Sequence, residues 1–386
     1  MLPQKLCRGC RISLGRPVDA RFGKMKSEMP DLFVRSPANP ILIPSGAWWE
    51  ARGVLNPGAV LIGDQVALVY RAVGADGLSR FGVAWSSDGE SIDGRDFYYE
   101  PPPGDPTTRL GVEDPRLTPL DGALYLTHTK VSVGPAIEPP LPWEFAPFIL
   151  RSAVARASIE TPPRPRTGEG VGGEGISGPR RGRARQEPAP TMVGLVDPNS
   201  ALTEAGTILS ETNTKDSVLF PARIDGRYAA LVREYPSIQY TTSAHLQSWS
   251  EPVTVMEPVP GTWEGERIGA GPPPMLTPWG WLLLYHGNEY LQQPGNRRLY
   301  RMGLAVLDRD KPWLVRYRHP DPVFEPSASY ETEGPVGNVV FGTGLIERGD
   351  RLYLYYGAGD GVIGLATAPR SAVFTLIEDA LGKAGG

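Results

Sequence analysis

Glu113 and Asp114 stand side by side in GVEDPRLTPLDGALYLTHT (111–129), at the head of a segment that reads as a strand. A carboxyl group that holds its proton can act as a general acid on a leaving oxygen. Basic, amide and hydroxyl side chains flank similar segments elsewhere: Lys215 and Asp216 in TKDSVLF, Arg233 in ALVRE, Arg267 in ERIGAG, His286 in LLLYHG and Tyr300 in LYRMG. Asn56 in LNPGAV, Arg71 in VYRA and Asp360 in GAGDG complete the set. Cations and carboxylates alternating around one cavity would suit a sugar together with an anion, since Arg offers a planar fork and Lys a point charge.

Such a cavity needs elements that bring distant segments together, and one local pattern recurs five times. The copies are GAVLIGDQVALVYRA (58–72), PRLTPLDGALYLTHT (115–129), VLFPARIDGRYAALVRE (218–234), PPPMLTPWGWLLLYHG (272–287) and TGLIERGDRLYLYYGAGD (343–360). Each alternates apolar and polar residues about a Gly-Asp, Asp-Gly or Trp-Gly turn, which predicts a hairpin. The turns fall near 64, 121, 225, 279 and 350, and further strands such as SRFGVAWSSDG (79–89), YRMGLAVLDRD (300–310) and GVIGLATA (361–368) follow most of them. Repeated four-stranded units predict an all-β, five-bladed β-propeller with a central funnel-shaped site. A β-sandwich would also give many short strands, but not five copies of one pattern.

The bulk properties agree with a large soluble core: 386 residues, 40% hydrophobic, 21% charged and a formal net charge of −4. Such a balance argues against a nucleic-acid partner, and apolar runs such as WLLLY (281–285) are far too short for a membrane span. With 2 Cys and no signal-peptide pattern, the expectation is a cytoplasmic enzyme or binding protein. Residues 1–28 read as a loose basic leader. Its Cys7 and Cys10 form a C-x-x-C pair that lacks the other two ligands a zinc site needs, and no metal or other cofactor is implied. Over 161–190, 13 of 30 residues are Gly or Pro and six are Arg, the composition of a disordered insertion. The propeller domain is then 29–372, with a C-terminal tail over 373–386. Oligomeric state, a homo-oligomer included, is not written in the sequence.

The motifs NPGAV, GVEDPRL, KDSVLFPARIDGRY, RIGAGPPPM with GWLLLYHG, and NVVFGTG with LYLYYGAGD resemble, in order, the blade motifs of the β-mannoside phosphorylases, family 130 of the glycoside hydrolases. The resemblance implies inverting cleavage of a β-mannoside by inorganic phosphate as co-substrate, giving α-mannose 1-phosphate. Asp114 matches the family's catalytic acid, whose proton is relayed through the 3-hydroxyl of the mannosyl unit, and Glu113 would hold the sugar or tune Asp114. A phosphorylase needs no second carboxylate to activate water, whereas an inverting hydrolase does. Lys215, Arg233 and His286 match phosphate-contacting positions, with Tyr300 as a hydroxyl donor. Asn56, Arg71 and Asp360 match mannosyl-binding positions, and Arg267 a position near the acceptor. Two departures stand out: the family more often carries Arg and Asn where this chain has Lys215 and Asp216, and Leu-His-Arg-Pro where it has Leu231-Val232-Arg233-Glu234. Glu234, Glu264 and Glu266 are the candidate bases for a hydrolytic alternative, and alternation along the strand turns Glu234 away from Arg233. A non-catalytic propeller that binds a glycan or a protein is the further alternative.

Overall fold

The computed structural model describes residues 32–133, 148–159, 202–209, 213–291 and 298–383. The leader over 1–28, with Cys7 and Cys10, and the insertion over 161–190 lie outside the described residues. The first strand among the described residues is β1 (Val34–Arg35), followed by blade one, β2 (Gly53–Ile62), β3 (Gln65–Val73), β4 (Ser79–Ser86) and β5 (Gly94–Tyr99). Blade two is β6 (Gly111–Leu120), β7 (Ala123–Val133), β8 (Phe148–Ala157) and β9 (Leu202–Ile208); blade three is β10 (Thr214–Leu219), β11 (Tyr228–Glu234), β12 (Ser237–Ser243) and β13 (Val253–Met256). Blade four holds β14 (Arg267–Ala270), β15 (Met275–Thr277), β16 (Gly280–Tyr290), β17 (Arg298–Leu307) and β18 (Val315–Arg318). A short helix, α1 (Ser329–Thr332), precedes blade five, β19 (Val340–Arg348), β20 (Arg351–Ala358) and β21 (Val362–Pro369), and α2 (Arg370–Lys383) is the last element among the described residues. This is the five-bladed propeller that the repeats predict.

All five predicted hairpins are present. Asp121-Gly122 (φ 51° and 72°) and Asp225-Gly226 (φ 49° and 72°) take the left-handed pair of conformations that a two-residue hairpin turn requires. Blades one and two touch through one parallel bridge, Ser79 to Gly111. The first strands of successive blades pack on one another, β2 with β19 and β6, then β6 with β10 and β10 with β14. They ring the axis, so whatever they carry on their inner side shares one space.

The core lies in the seams between blades. Leu68 and Tyr70 meet Tyr355, Ile363 and Leu365 between blades one and five, Val69 and Phe81 meet Leu117 and Leu126 between one and two, and Tyr125 and Val154 meet Leu219 and Val232 between two and three. Along β16 the seams alternate: Trp281, Leu283 and Tyr285 face blade three, while Leu282 and Leu284 face blade five. Both faces of the strand are buried, which explains its unbroken apolar run. Each fully buried Leu, Ile or Phe of this kind stabilises the fold by about 1.5–3 kcal/mol.

The stretch from 373 that the sequence suggests is a tail is instead most of α2. Val373 and Ile377, one helical turn apart, are both fully buried in the seam between blades four and five. Phe374 meets Trp279 edge-on at 5.4 Å between ring centroids. Four residues of apolar spacing were too short a signal beside the charged and small residues around them.

The ring is closed by β1, which pairs with β21 (Val34 opposite Thr367, Arg35 opposite Ala366) and supplies the fourth strand of blade five. Its Arg35 is clamped by the fully buried Glu331 of α1, Nε to Oε1 at 2.8 Å and Nη2 to Oε2 at 2.9 Å. Glu331 also accepts from Tyr356 Oη at 2.8 Å and from the backbone N–H groups of Ser327 and Ala328 at 2.7 and 2.9 Å. Removing one partner of a buried ion pair strands the other, at about 3–5 kcal/mol. Glu331→Ala is therefore expected to lower the denaturant midpoint sharply, with Glu331→Gln milder; an unchanged midpoint would show that the clasp is not what holds the ring shut.

Candidate active site

The inner strands of three successive blades share one irregularity. Their pairing slips between Leu55 and Gly58 in β2, between Glu113 and Arg116 in β6, and between Lys215 and Val218 in β10. Each slip is a β-bulge, and its first residue is Asn56, Asp114 or Asp216, at φ 49°, 52° and 54°. Asn and Asp are the residues besides Gly that enter this left-handed region most readily. In two of the bulges Pro follows (Pro57, Pro115), which has no N–H to leave unpaired. A bulge re-aims a side chain, and here it turns three Asx side chains toward the axis. Two carboxylates open the second hairpin because its first strand is bulged at that point.

Asn56, Arg71, Asp114, Lys215, Asp216, Arg233, Arg267, Tyr300 and Asp360 line one cavity, walled on one side by Val336, Val339 and Phe341. Asp114 is 2% exposed. Its Oδ1 accepts from Asn56 Nδ2 at 2.6 Å, Lys215 Nζ lies 3.1 Å from Oδ2, and Arg71 Nη1 lies 3.7 Å from Oδ1. Glu113 bridges the same two cations, 2.6 Å from Arg71 and 2.7 Å from Lys215. Burial alone would raise the Asp114 carboxyl, but Lys215, Arg71 and Arg116 outweigh it and hold it at about 2. Asp114 is thus an ionised carboxylate when no ligand is bound.

Asp216, fully buried, is a second node. Its Oδ2 lies 2.6 Å from Arg233 Nη1 and 3.4 Å from His286 Nε2, and its Oδ1 lies 3.2 Å from Arg116 Nη2. Burial opposes its charge, yet Arg233, His286 and Arg116 keep the carboxyl well below the usual range. His286 does not line the cavity; it is fully buried behind Asp216, 4.3 Å from the Phe341 ring. Burial lowers it to about 4 despite Asp216, so it is neutral at neutral pH. On the opposite wall burial raises Asp360 to about 6, with Arg71 opposing and the Asp114 charge adding.

On blade four Arg267 hydrogen-bonds Tyr300, and Asn288 ties both to the next shell of side chains. With its amide nitrogen turned to Glu266 Oε2, at 2.9 Å, Asn288 donates there and its oxygen accepts from Tyr300 Oη and Arg267 Nε at 3.2 Å each. Glu266 pairs with Arg298 at 3.0 Å, and Glu264 pairs with Arg318 at 2.7 Å. Neither they nor Glu234 line the cavity, and Arg233 does.

Sequence reasoning missed Arg116, Asn288 and Phe341. Arg116 is completely buried and donates to the backbone carbonyls of Asp114 at 2.7 Å, Ala270 at 3.2 Å and Gly271 at 3.3 Å. The available signal was its place in GVEDPRL, two residues past Asp114. Close approach matters too: a Cβ on Gly357 would stand 2.0 Å from Asn56 Oδ1. Gly357→Ala is expected to push Asn56 off Asp114 and lower turnover about a hundredfold, the cost of a misplacement near 1 Å. The check is kcat measured beside an unchanged circular dichroism spectrum; full activity would show that Asn56 does not set Asp114.

The family model described as β-1,4-mannooligosaccharide phosphorylase matches residues 184–379. The chain is 31% identical over 337 residues to the 1,2-β-oligomannan phosphorylase of Thermoanaerobacter sp. (strain X514), covering 85% of this chain and 94% of that one. It is 33% identical over 174 residues, 43% of this chain and 49% of the other, to the β-1,4-mannooligosaccharide phosphorylase of Ruminococcus albus. In fold it resembles the β-1,2-mannobiose phosphorylase of Listeria innocua, with a TM-score of 0.65 over 90% of this chain and 99% of that one at 23% identity. Propeller, bulged inner strands and an acid set among cations are the frame of a glycoside-cleaving site. The chain belongs to family 130 of the glycoside hydrolases, the family of the β-mannoside phosphorylases.

Proposed function

We propose that the chain carries out inverting phosphorolysis of β-mannosides, of the β-mannooligosaccharide or mannosyl-glucose type. A phosphate oxygen attacks the anomeric carbon from the face opposite the leaving oxygen, the glycosidic C–O bond breaks, and α-mannose 1-phosphate and a shortened acceptor form. Asp114 supplies the proton that the leaving oxygen takes, through the 3-hydroxyl of the mannosyl unit as in the family. Asn56, Arg71 and Asp360 hold that unit, Glu113 fixes Arg71 and Lys215, and Arg267 faces the acceptor. Lys215 and Arg233 take the phosphate with Tyr300, while Asp216 and the neutral His286 hold Arg233 from behind.

The observation that carries this is the convergence of Lys215, Arg233 and Arg267 with the buried Asp114 on a single cavity. Phosphate arrives already nucleophilic, so such a site needs charge for the anion rather than a base for water. Incubating the protein with β-1,2- and β-1,4-mannooligosaccharides with and without phosphate tests it. Mannose 1-phosphate formed only with phosphate is the expected product. Free mannose in phosphate-free buffer would make the chain a hydrolase, and no cleavage at all a binding protein. Running the reaction backwards, from mannose 1-phosphate and a panel of acceptors, identifies the linkage.

A further inference from the structure

An acid catalyst must hold a proton, yet Asp114 is surrounded by groups that keep it ionised. Lys215 Nζ sits between Glu113 Oε2 at 2.7 Å and Asp114 Oδ2 at 3.1 Å. Arg71 spans the same two carboxylates from the other side, at 2.6 and 3.7 Å. The remaining cations nearby are also engaged: Arg233 with Asp216 at 2.6 Å, and Arg116 with Asp216 at 3.2 Å. Of the cations that line the cavity, Arg71, Lys215 and Arg233 are held by carboxylates and Arg267 by Tyr300, so a phosphate that engages Lys215 and Arg233 competes with Asp114, Glu113 and Asp216 for them.

We propose that phosphate arms its own acid: by taking Lys215 from Asp114 and placing negative charge beside it, the bound anion makes Asp114 take up a proton from solvent before the sugar is cleaved. The inference rests on the phosphorylase reading and adds an order of events to it. That proton then goes to the leaving oxygen, and Asp114 returns to the carboxylate that Lys215 holds once phosphate has left as mannose 1-phosphate. Without phosphate Asp114 stays ionised and has no proton to give the leaving oxygen, which protects the mannoside from adventitious hydrolysis.

The direction follows from the charges that face Asp114. Arg71 and Lys215 oppose proton uptake at its oxygens and Arg116 does so from behind. Asp216 and Asp360 favour it, as does Glu113, which shares Arg71 and Lys215 with Asp114, and Asn56 only donates a hydrogen bond. A single negative charge about 4 Å away, at an effective dielectric constant of about 20, moves a carboxyl by about three pKa units. A doubly charged anion that also removes Lys215 moves it far enough from about 2 to reach the neutral range. Since the complex binds more protons than the free protein, anion affinity is highest at low pH. It falls as pH rises from the range where free Asp114 titrates to that where Asp114 in the complex loses its proton, and is level above it.

Sulfate is the probe, because it carries two charges throughout the range and does not titrate. Calorimetry in buffers of different ionisation enthalpy counts the protons taken up as sulfate binds. We expect uptake approaching one proton per sulfate near pH 6, with affinity weakening there by about tenfold per pH unit and levelling off at higher pH where the uptake disappears. Asp114→Asn should bind sulfate with the uptake largely lost. Lys215→Gln should lower the uptake as well, since Asp114 is then less firmly ionised beforehand, and Lys215→Arg should restore it. Uptake that persists undiminished in Asp114→Asn would overturn the inference and assign the proton to Asp360 or His286. Sulfate binding without any proton uptake, in a protein that still makes mannose 1-phosphate, would overturn it and leave the phosphorylase reading intact. No anion binding, with free mannose released in phosphate-free buffer, would overturn both.

Discussion

Asp114→Asn is expected to slow mannoside cleavage by about 10²–10⁴, the usual contribution of a general acid. The substitution keeps the shape of the side chain and its acceptor for Asn56 Nδ2, now at 2.6 Å. What it removes is the proton donor and the charge that Lys215 and Arg71 share with Glu113. Lys215 retains Glu113 as a partner, so the site should stay folded and the Michaelis constant for the mannoside should change little. Steady-state kinetics at saturating phosphate provide the measurement. Turnover close to that of the unaltered protein would sink the assignment and shift the acid to Glu113 or Asp360, the neighbouring carboxyl groups.

Arg233→Ala should act on the other substrate. Loss of a charge-assisted contact to phosphate is worth about 1.5–3 kcal/mol, or about a ten- to hundredfold rise in the Michaelis constant for phosphate. The structure adds a reason to expect the upper end. Arg233 also neutralises Asp216 at 2.6 Å, and without it a buried carboxylate faces the anion with Arg116 and a neutral His286 alone. The mannoside constant should barely move, and Lys215→Arg should keep or tighten phosphate binding. An unchanged phosphate constant would show that Arg233 serves Asp216 only. Cleavage at full rate in phosphate-free buffer would point to a base among the cavity's own carboxylates, because Glu234, Glu264 and Glu266 lie outside its lining.

Much of the architecture can be read along the chain because its causes are local. Turn residues with positive φ, such as Asp121-Gly122 and Asp225-Gly226, and period-two alternation depend on immediate neighbours, and five copies of one pattern specify five blades. The residues that would face the funnel can be picked from the same register, since strand starts and ends recur at equivalent points. The closing strand β1, two residues long, carries too little pattern to be seen, and its partner β21 lies at the other end of the chain. The helix at 370–383 is helical because Val373 and Ile377 find a seam to fill, not because its own sequence insists on it.

The ionic state of the site depends still more on tertiary contacts. A bulge exists only when two strands pair out of step, so the inward turn of Asn56, Asp114 and Asp216 is a property of β2, β6 and β10 with their partners. Lys215 meets Glu113 across 102 residues, and Arg116 meets Asp216 across 100. Residue types alone name a set of acids and bases. Which acid is charged, and which cation is already occupied, follows from distances of about 3 Å in a buried space, where each charge is set by its neighbours and little by water.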